Sequence, residues 1–131
     1  MTKIIEAEVA IIGSGPGGAM LALRLARLGR KVVLIERAAN LHREFRGESI
    51  SPDSVAILEE MGLMPYLDAH GYLETKKMQV FENNTCLLEV DFSQFDIEKK
   101  YSIDIPQPVL ISALIKEAEK RANFIYLNSI P

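Results

Sequence analysis

Tryptophan is absent from this chain, and cysteine occurs once, at Cys86. One thiol forms no internal disulfide and builds no metal cluster, and this usage suits a reducing compartment, so a cytoplasmic location is expected. Cys86 falls in a strand pattern and reads as a packed thiol. Histidine is nearly as scarce. His42 and His70 have no partner at metal or triad spacing and read as surface or loop residues. No apolar run reaches the roughly 20 residues of a membrane helix. Glu6 and Glu8 break the N-terminus where a signal peptide needs unbroken apolar chain. Positive charge is not in excess: 15 Lys and Arg stand against 18 Asp and Glu, a net charge of -3. The basic residues are scattered and do not alternate with aromatics, so no nucleic-acid partner is expected.

What is present fits one soluble domain with a core: 131 residues, 48% hydrophobic and 25% charged. Val9 to Ile12 is a continuous apolar run, the pattern of a buried parallel strand. Gly17 to Leu28 reads as a helix with Ala19, Ala22, Leu23 and Ala26 on one face, and Gly29 is its stop. Lys31 to Glu36 is a second buried strand. Together these predict an α/β fold: a Rossmann-like parallel sheet that begins with a right-handed βαβ unit.

Further along, Asn40 to Ser51 lacks a period and reads as a loop. Pro52 to Met61 predicts a helix capped by Ser51, helped by Asp53 in its first turn and ended by Gly62. Met61 and Met64, on either side of that glycine, read as core. Lys77 to Phe81 and Cys86 to Phe92 predict a β-hairpin excursion around "ENNT". Val109 to Arg121 is amphipathic, with Leu110, Leu114 and Ala118 as its stripe and Ile111 and Ile115 alongside. Asn123 to Leu127 is a third apolar strand. So small a sheet suggests the first part of a longer protein, and its open edge suggests self-association.

The stretch between the first strand and the first helix carries the chemistry. Its spacing is Gly13-x-Gly15-x-x-Gly18. Gly13 permits a tight turn, Gly15 lets a pyrophosphate approach bare backbone, and Gly18 lets the helix pack closely on the strand. The helix N-terminus offers N–H groups and partial positive charge to phosphates. Ser14 lies within the turn, Gly17 adds access, and Pro16 stiffens it without needing an N–H. Glu36 closes the second strand near the roughly 20-residue spacing of a ribose-binding acid. Its carboxylate would accept from both ribose hydroxyls and repel a 2′-phosphate. A dinucleotide is therefore expected, and the motif reads only the ADP half that FAD and NAD share. A turn that merely allows close packing, with Glu36 a solvated strand end, is the alternative. Ser14 and Ser49 have no base near them in sequence, and the glycines lack the G-x-S-x-G spacing of a nucleophile elbow.

The segments "GSGPGGAMLALRLARLGRKVVLIER", "FRGESISPDSVAILEEMGL" and "IPQPVLISALIKEA" resemble the FAD-dependent monooxygenases of the aromatic-hydroxylase type. The resemblance covers residues 1–131 as the N-terminal part of an FAD-binding domain. It implies that Gly13, Gly15 and Gly18 hold the FAD pyrophosphate and Glu36 the adenosine ribose. Arg37 would lie along the adenine side, Arg46 would contact the FAD phosphates or flavin side, and Gln107 would bond the FAD linker. Arg37 and Arg46 read equally well as solvated arginines, Glu48 as a partner of Arg46, and Gln107 as a helix-start residue. The resemblance further implies NAD(P)H as reductant and a small aromatic or polyketide-like substrate. No residue here is assigned as catalytic, and the family's downstream Gly-Asp motif is not in the chain. A reductase of the geranylgeranyl-reductase-like type, a halogenase, and a truncated non-catalytic dinucleotide-binding module are the alternatives. The absence of Trp argues against the halogenase, and the isolated chain is expected not to turn over substrate.

Overall fold

A computed structural model describes residues 4–41 and 48–131. Arg46 and His42 lie outside the described residues. In chain order the elements are β1 (Val9–Ile12), α1 (Pro16–Arg27), β2 (Val32–Ile35), β3 (Ser49–Ile50), α2 (Pro52–Glu60), α3 (Met64–His70), β4 (Leu73–Thr75), β5 (Lys77–Glu82), β6 (Thr85–Asp91), β7 (Ser102–Asp104), α4 (Gln107–Glu119) and β8 (Phe124–Leu127). They form two compact units, one from the N-terminal segment together with residues 107–131, the other from the segment between.

The first unit is the expected parallel sheet, in the order β1-β2-β8. Val9 lies opposite Val32, and Val32 opposite Phe124. Helices α1 and α4 pack on each other, α1 against β1 and β2, and α4 against β8. Ala19, Ala22, Leu23 and Ala26 are all buried, as their spacing predicts. Small side chains at three of these positions bring the helix axis near its neighbours. On α4, Ile111, Leu114, Ile115 and Ala118 are buried, whereas Leu110 is half-buried. Gly29, at φ +80, ends α1 in the left-handed region.

One expectation is corrected here. Val9 to Ile12 is not buried throughout: Ile11 faces α1, while Ala10 and Ile12 are exposed, Ile12 to 78%. Side chains alternate across a strand, and among the described residues the helices cover one face only.

In the second unit, β7 is the middle strand of a short antiparallel sheet, between β3 and β4. Helix α2 begins at Pro52, carries Asp53 in its first turn and is followed by Gly62 at φ +72. Ser51 precedes it but does not cap it through its side chain: no helix N–H donates to its hydroxyl, which itself donates to Ser54 Oγ at 3.0 Å. Met61 is buried, and Met64, at the start of α3, is half-buried.

The hairpin β5-β6 turns at Asn83 and Asn84, both at positive φ. That is the backbone a two-residue turn needs to match strand twist. One hairpin face is polar: Lys77 pairs with Glu89 at 3.1 Å and Asp91 at 3.4 Å. Met78, Val80 and Leu88 are exposed apolar residues, and Cys86 is exposed as well. The packed-thiol reading of Cys86 is therefore corrected, because no second layer covers this ribbon among the described residues. The elements β3, α3, β4 and β7 had no sequence signal. Each is seven residues or shorter, too short for a period to show.

Candidate functional site

The site begins where β1 ends. The Gly13 N–H donates to the Ile35 carbonyl at 2.7 Å, which carries the β1-β2 pairing one step past the strands. Gly13 then adopts φ +99, a conformation that a side chain would strain. Ser14 follows, fully buried. Gly15 is the residue before α1, with extended backbone and no side-chain cap. Pro16 occupies the first helical turn, where a missing N–H costs nothing. The Ala19 N–H closes the first turn on the Gly15 carbonyl at 2.9 Å.

The three motif glycines differ in what surrounds them. A Cβ on Gly18 would collide with the Gly13 carbonyl oxygen and reach Ile11 Cγ2 at 3.4 Å. Close helix–strand packing therefore requires glycine there. A Cβ on Gly15 would meet nothing within 4 Å, and the same holds at Gly17. Open space above Gly15 is what an approaching diphosphate needs. No acidic side chain lies in the first turn of α1. No side chain of the helix's own first turn thus competes for the positive end of its dipole.

Glu36 stands directly after β2, beside this turn. Its backbone N–H donates to the Leu127 carbonyl at 2.8 Å, and its carbonyl accepts from Ile130 N–H at 3.1 Å. Glu36 is only 6% exposed, so the reading of it as a solvated strand end is set aside. The Ser14 N–H and Ser14 hydroxyl donate to its Oε2 at 2.8 and 2.9 Å. The Ala38 N–H donates to Oε1 at 2.9 Å. These donors offset the cost of burying a carboxylate and fix its direction.

The structure thus brings Gly13, Ser14, Gly15, Pro16, Gly17, Gly18 and Glu36 into one corner at the C-terminal ends of β1 and β2. Ligands of open α/β sheets bind at the carboxyl ends of the strands. Arg37, next in the chain, is exposed, and Gln107 is the half-buried first residue of α4. One participant was not foreseen. The hydroxyl of Tyr126, on β8, lies 3.4 Å from Ser14 Oγ. A tyrosine in an apolar strand looks like core, and only the parallel register of β8 on β2 brings it here. Among the described residues, no cluster of three His, Cys, Asp or Glu is placed to hold a metal ion. No helix among them is long and apolar enough to cross a membrane.

A parallel sheet with a glycine turn into a helix, and a buried acid after the second strand, defines a dinucleotide-binding α/β domain. The family model described as FAD binding domain matches residues 6–128, and the chain belongs to that family. Over 120 residues it is 28% identical to 6-methylpretetramide 4-monooxygenase of Streptomyces rimosus, covering 92% of this chain and 29% of that protein. It is 33% identical over 88 residues to the FAD-dependent monooxygenase pynG of Aspergillus niger, covering 67% of this chain and 20% of that one. Among solved structures it is similar to Pseudomonas aeruginosa PqsL in complex with 2-aminobenzoylacetate. There the TM-score is 0.83 at 26% identity, with 94% of this chain and 33% of PqsL covered. The chain therefore spans a third or less of the length of these relatives.

Proposed function

We propose that this chain carries the ADP half of an FAD site. In this reading Gly13 to Gly18 receive the pyrophosphate on bare backbone and the α1 N-terminus, with Ser14 orienting the acid. Glu36 accepts from the adenosine ribose, Arg37 lies along the adenine, and Gln107 and Arg46 serve the linker and the flavin side. The observation that carries it is the contrast between Gly18, which packing demands, and Gly15, beside which the space is open. Packing does not explain the second glycine, whereas a ligand approaching the backbone does.

We further propose that the whole protein is a monooxygenase that uses NAD(P)H and hydroxylates an aromatic or polyketide-like small molecule. The names of its relatives support this class. Bound FAD would supply hydride acceptance from NAD(P)H and activation of dioxygen. The residues of this chain would bind and orient it. A reducing, cytoplasmic setting fits the lone exposed thiol Cys86. The strands β1 and β8, at the edges of the described sheet, favour self-association of the isolated chain.

Calorimetric titration of FAD, with ADP and NAD alongside, tests the cofactor reading. Saturable FAD binding, matched in part by ADP, is expected. No binding of FAD or ADP by the folded chain would overturn the reading.

A further inference from the structure

We propose that Tyr126 is a positioning residue for Glu36, acting through Ser14, and that it sharpens recognition of the ligand's ribose hydroxyls. The inference rests on the reading of Glu36 as the ribose acceptor. A serine hydroxyl has one proton to give. Glu36 Oε2, as a carboxylate oxygen, only accepts, so the 2.9 Å bond uses the Ser14 proton. The Tyr126 hydroxyl, 3.4 Å from the same Ser14 oxygen, is then the donor in that pair. The result is a directed chain: Tyr126 O–H to Ser14 Oγ, and Ser14 O–H to Glu36 Oε2.

Burial gives this chain its effect. Ser14 is 0% exposed, so water does not compete for its oxygen. A buried hydroxyl that accepts no bond is free to turn its proton elsewhere. One that accepts from Tyr126 has its remaining proton directed at the carboxylate. Chains of this kind also polarise their members, each bond strengthening the next. The backbone around Glu36 is held independently by Leu127 and Ile130. Removing the phenol hydroxyl therefore loosens one donor to the Glu36 carboxylate, the Ser14 hydroxyl, while leaving the two backbone donors, from Ser14 and Ala38, and the main chain in place. Tyr126 itself is set by strand register, opposite Leu34.

The test is Tyr126→Phe in this chain, with ADP and 2′,3′-dideoxy-ADP titrated by calorimetry. The dideoxy nucleotide keeps the base and phosphates and lacks what Glu36 would accept. The expected result is an ADP affinity lowered about 2- to 10-fold, the loss of one hydrogen bond, with dideoxy-ADP affinity unchanged. Equal weakening of both nucleotides, or of neither, would overturn the proposal, since a purely structural role moves both together. A second measurement needs no ligand. In urea denaturation, Tyr126→Phe should lower the folding equilibrium constant in the parent chain and have no effect in a Ser14→Ala background. Additive effects of the two substitutions would refute the relay. If the parent chain binds both nucleotides equally, or neither, the ribose role falls together with the Glu36 reading, and the urea cycle still decides the relay.

Discussion

Ser14 donates twice to the same oxygen of Glu36, once from its backbone N–H at 2.8 Å and once from its hydroxyl at 2.9 Å. The glycine turn and the acid after β2 are thus one object and not two neighbours. The residue between Gly13 and Gly15 is tied to the acid that follows β2. If Glu36 is the ribose acceptor proposed above, a carboxylate fixed in advance would remove an ordering cost from binding.

Glu36→Ala should therefore act on folding and on affinity. The substitution leaves the buried Ser14 N–H and hydroxyl without their acceptor, which costs about 1–3 kcal/mol. Urea denaturation should show that loss. Calorimetry should show FAD affinity reduced by about 1.5–3 kcal/mol, the range for a hydrogen bond to a charged group. An unchanged dissociation constant would return Glu36 to a structural role.

Alanine at the glycines should separate packing from ligand access. Gly18→Ala places a Cβ against the Gly13 carbonyl oxygen and should destabilise the fold by about 1–3 kcal/mol. Gly15→Ala meets no neighbour, and its φ of -65 suits alanine, so thermal stability should stay within about 0.5 kcal/mol of the parent or rise slightly. FAD affinity should nonetheless fall in Gly15→Ala. Unaltered FAD binding there would mean that no phosphate approaches this backbone.

Asn123 joins the end of α1 to the start of β8. Its side-chain amide donates to the Ala26 carbonyl at 2.9 Å and to the Arg30 carbonyl at 2.7 Å. Helix ends leave carbonyls without intrahelical partners, and this amide serves one of them. Asn123→Ala should cost about 1–2 kcal/mol, read as a lower urea midpoint with an unchanged slope. Asn123→Asp should fare no better, since it exchanges the amide donor for an acceptor facing carbonyls.

Tyr72 offers a pH test in the second unit. Its hydroxyl donates to Asp68 at 2.8 Å. That bond, then burial and the carboxylate's charge, pushes its pKa up to about 12 from 10.0. A raised pKa means that the bond's contribution is fully present below pH 10 and is lost as pH rises towards 12. Ultraviolet titration should show Tyr72 ionising near pH 12, and Asp68→Asn should lower its midpoint towards 10.

Much of the first unit was legible in order along the chain. The alanines at 19, 22 and 26 follow the helical period that burial on one face imposes, and the apolar runs at Val9 and Val32 marked the two strands, although only the second is buried along most of its length. Gly13 and Gly18 were legible because the two roles assigned to them, a left-handed turn and close packing, exclude any side chain. The second unit was legible at α2 and in the β5-β6 hairpin, whose turn chemistry at Asn83-Asn84 is specific. Strands as short as Leu73–Thr75 and Ser102–Asp104 exist because they pair with each other, not because of a local preference.

By itself the sequence determined the βαβ start, the glycine turn, the acid at position 36 and the family to which these belong. These rest on local rules: side-chain period, the backbone range of glycine, and spacing along one connection. Only the tertiary structure decided that Ile12 and Cys86 are exposed, and that Ser14, Glu36 and Tyr126 meet. Each of these depends on parallel register and layer coverage between segments as many as 112 positions apart. No local pattern encodes that distance, because the pairing energy is shared among strands that meet only once the chain has folded.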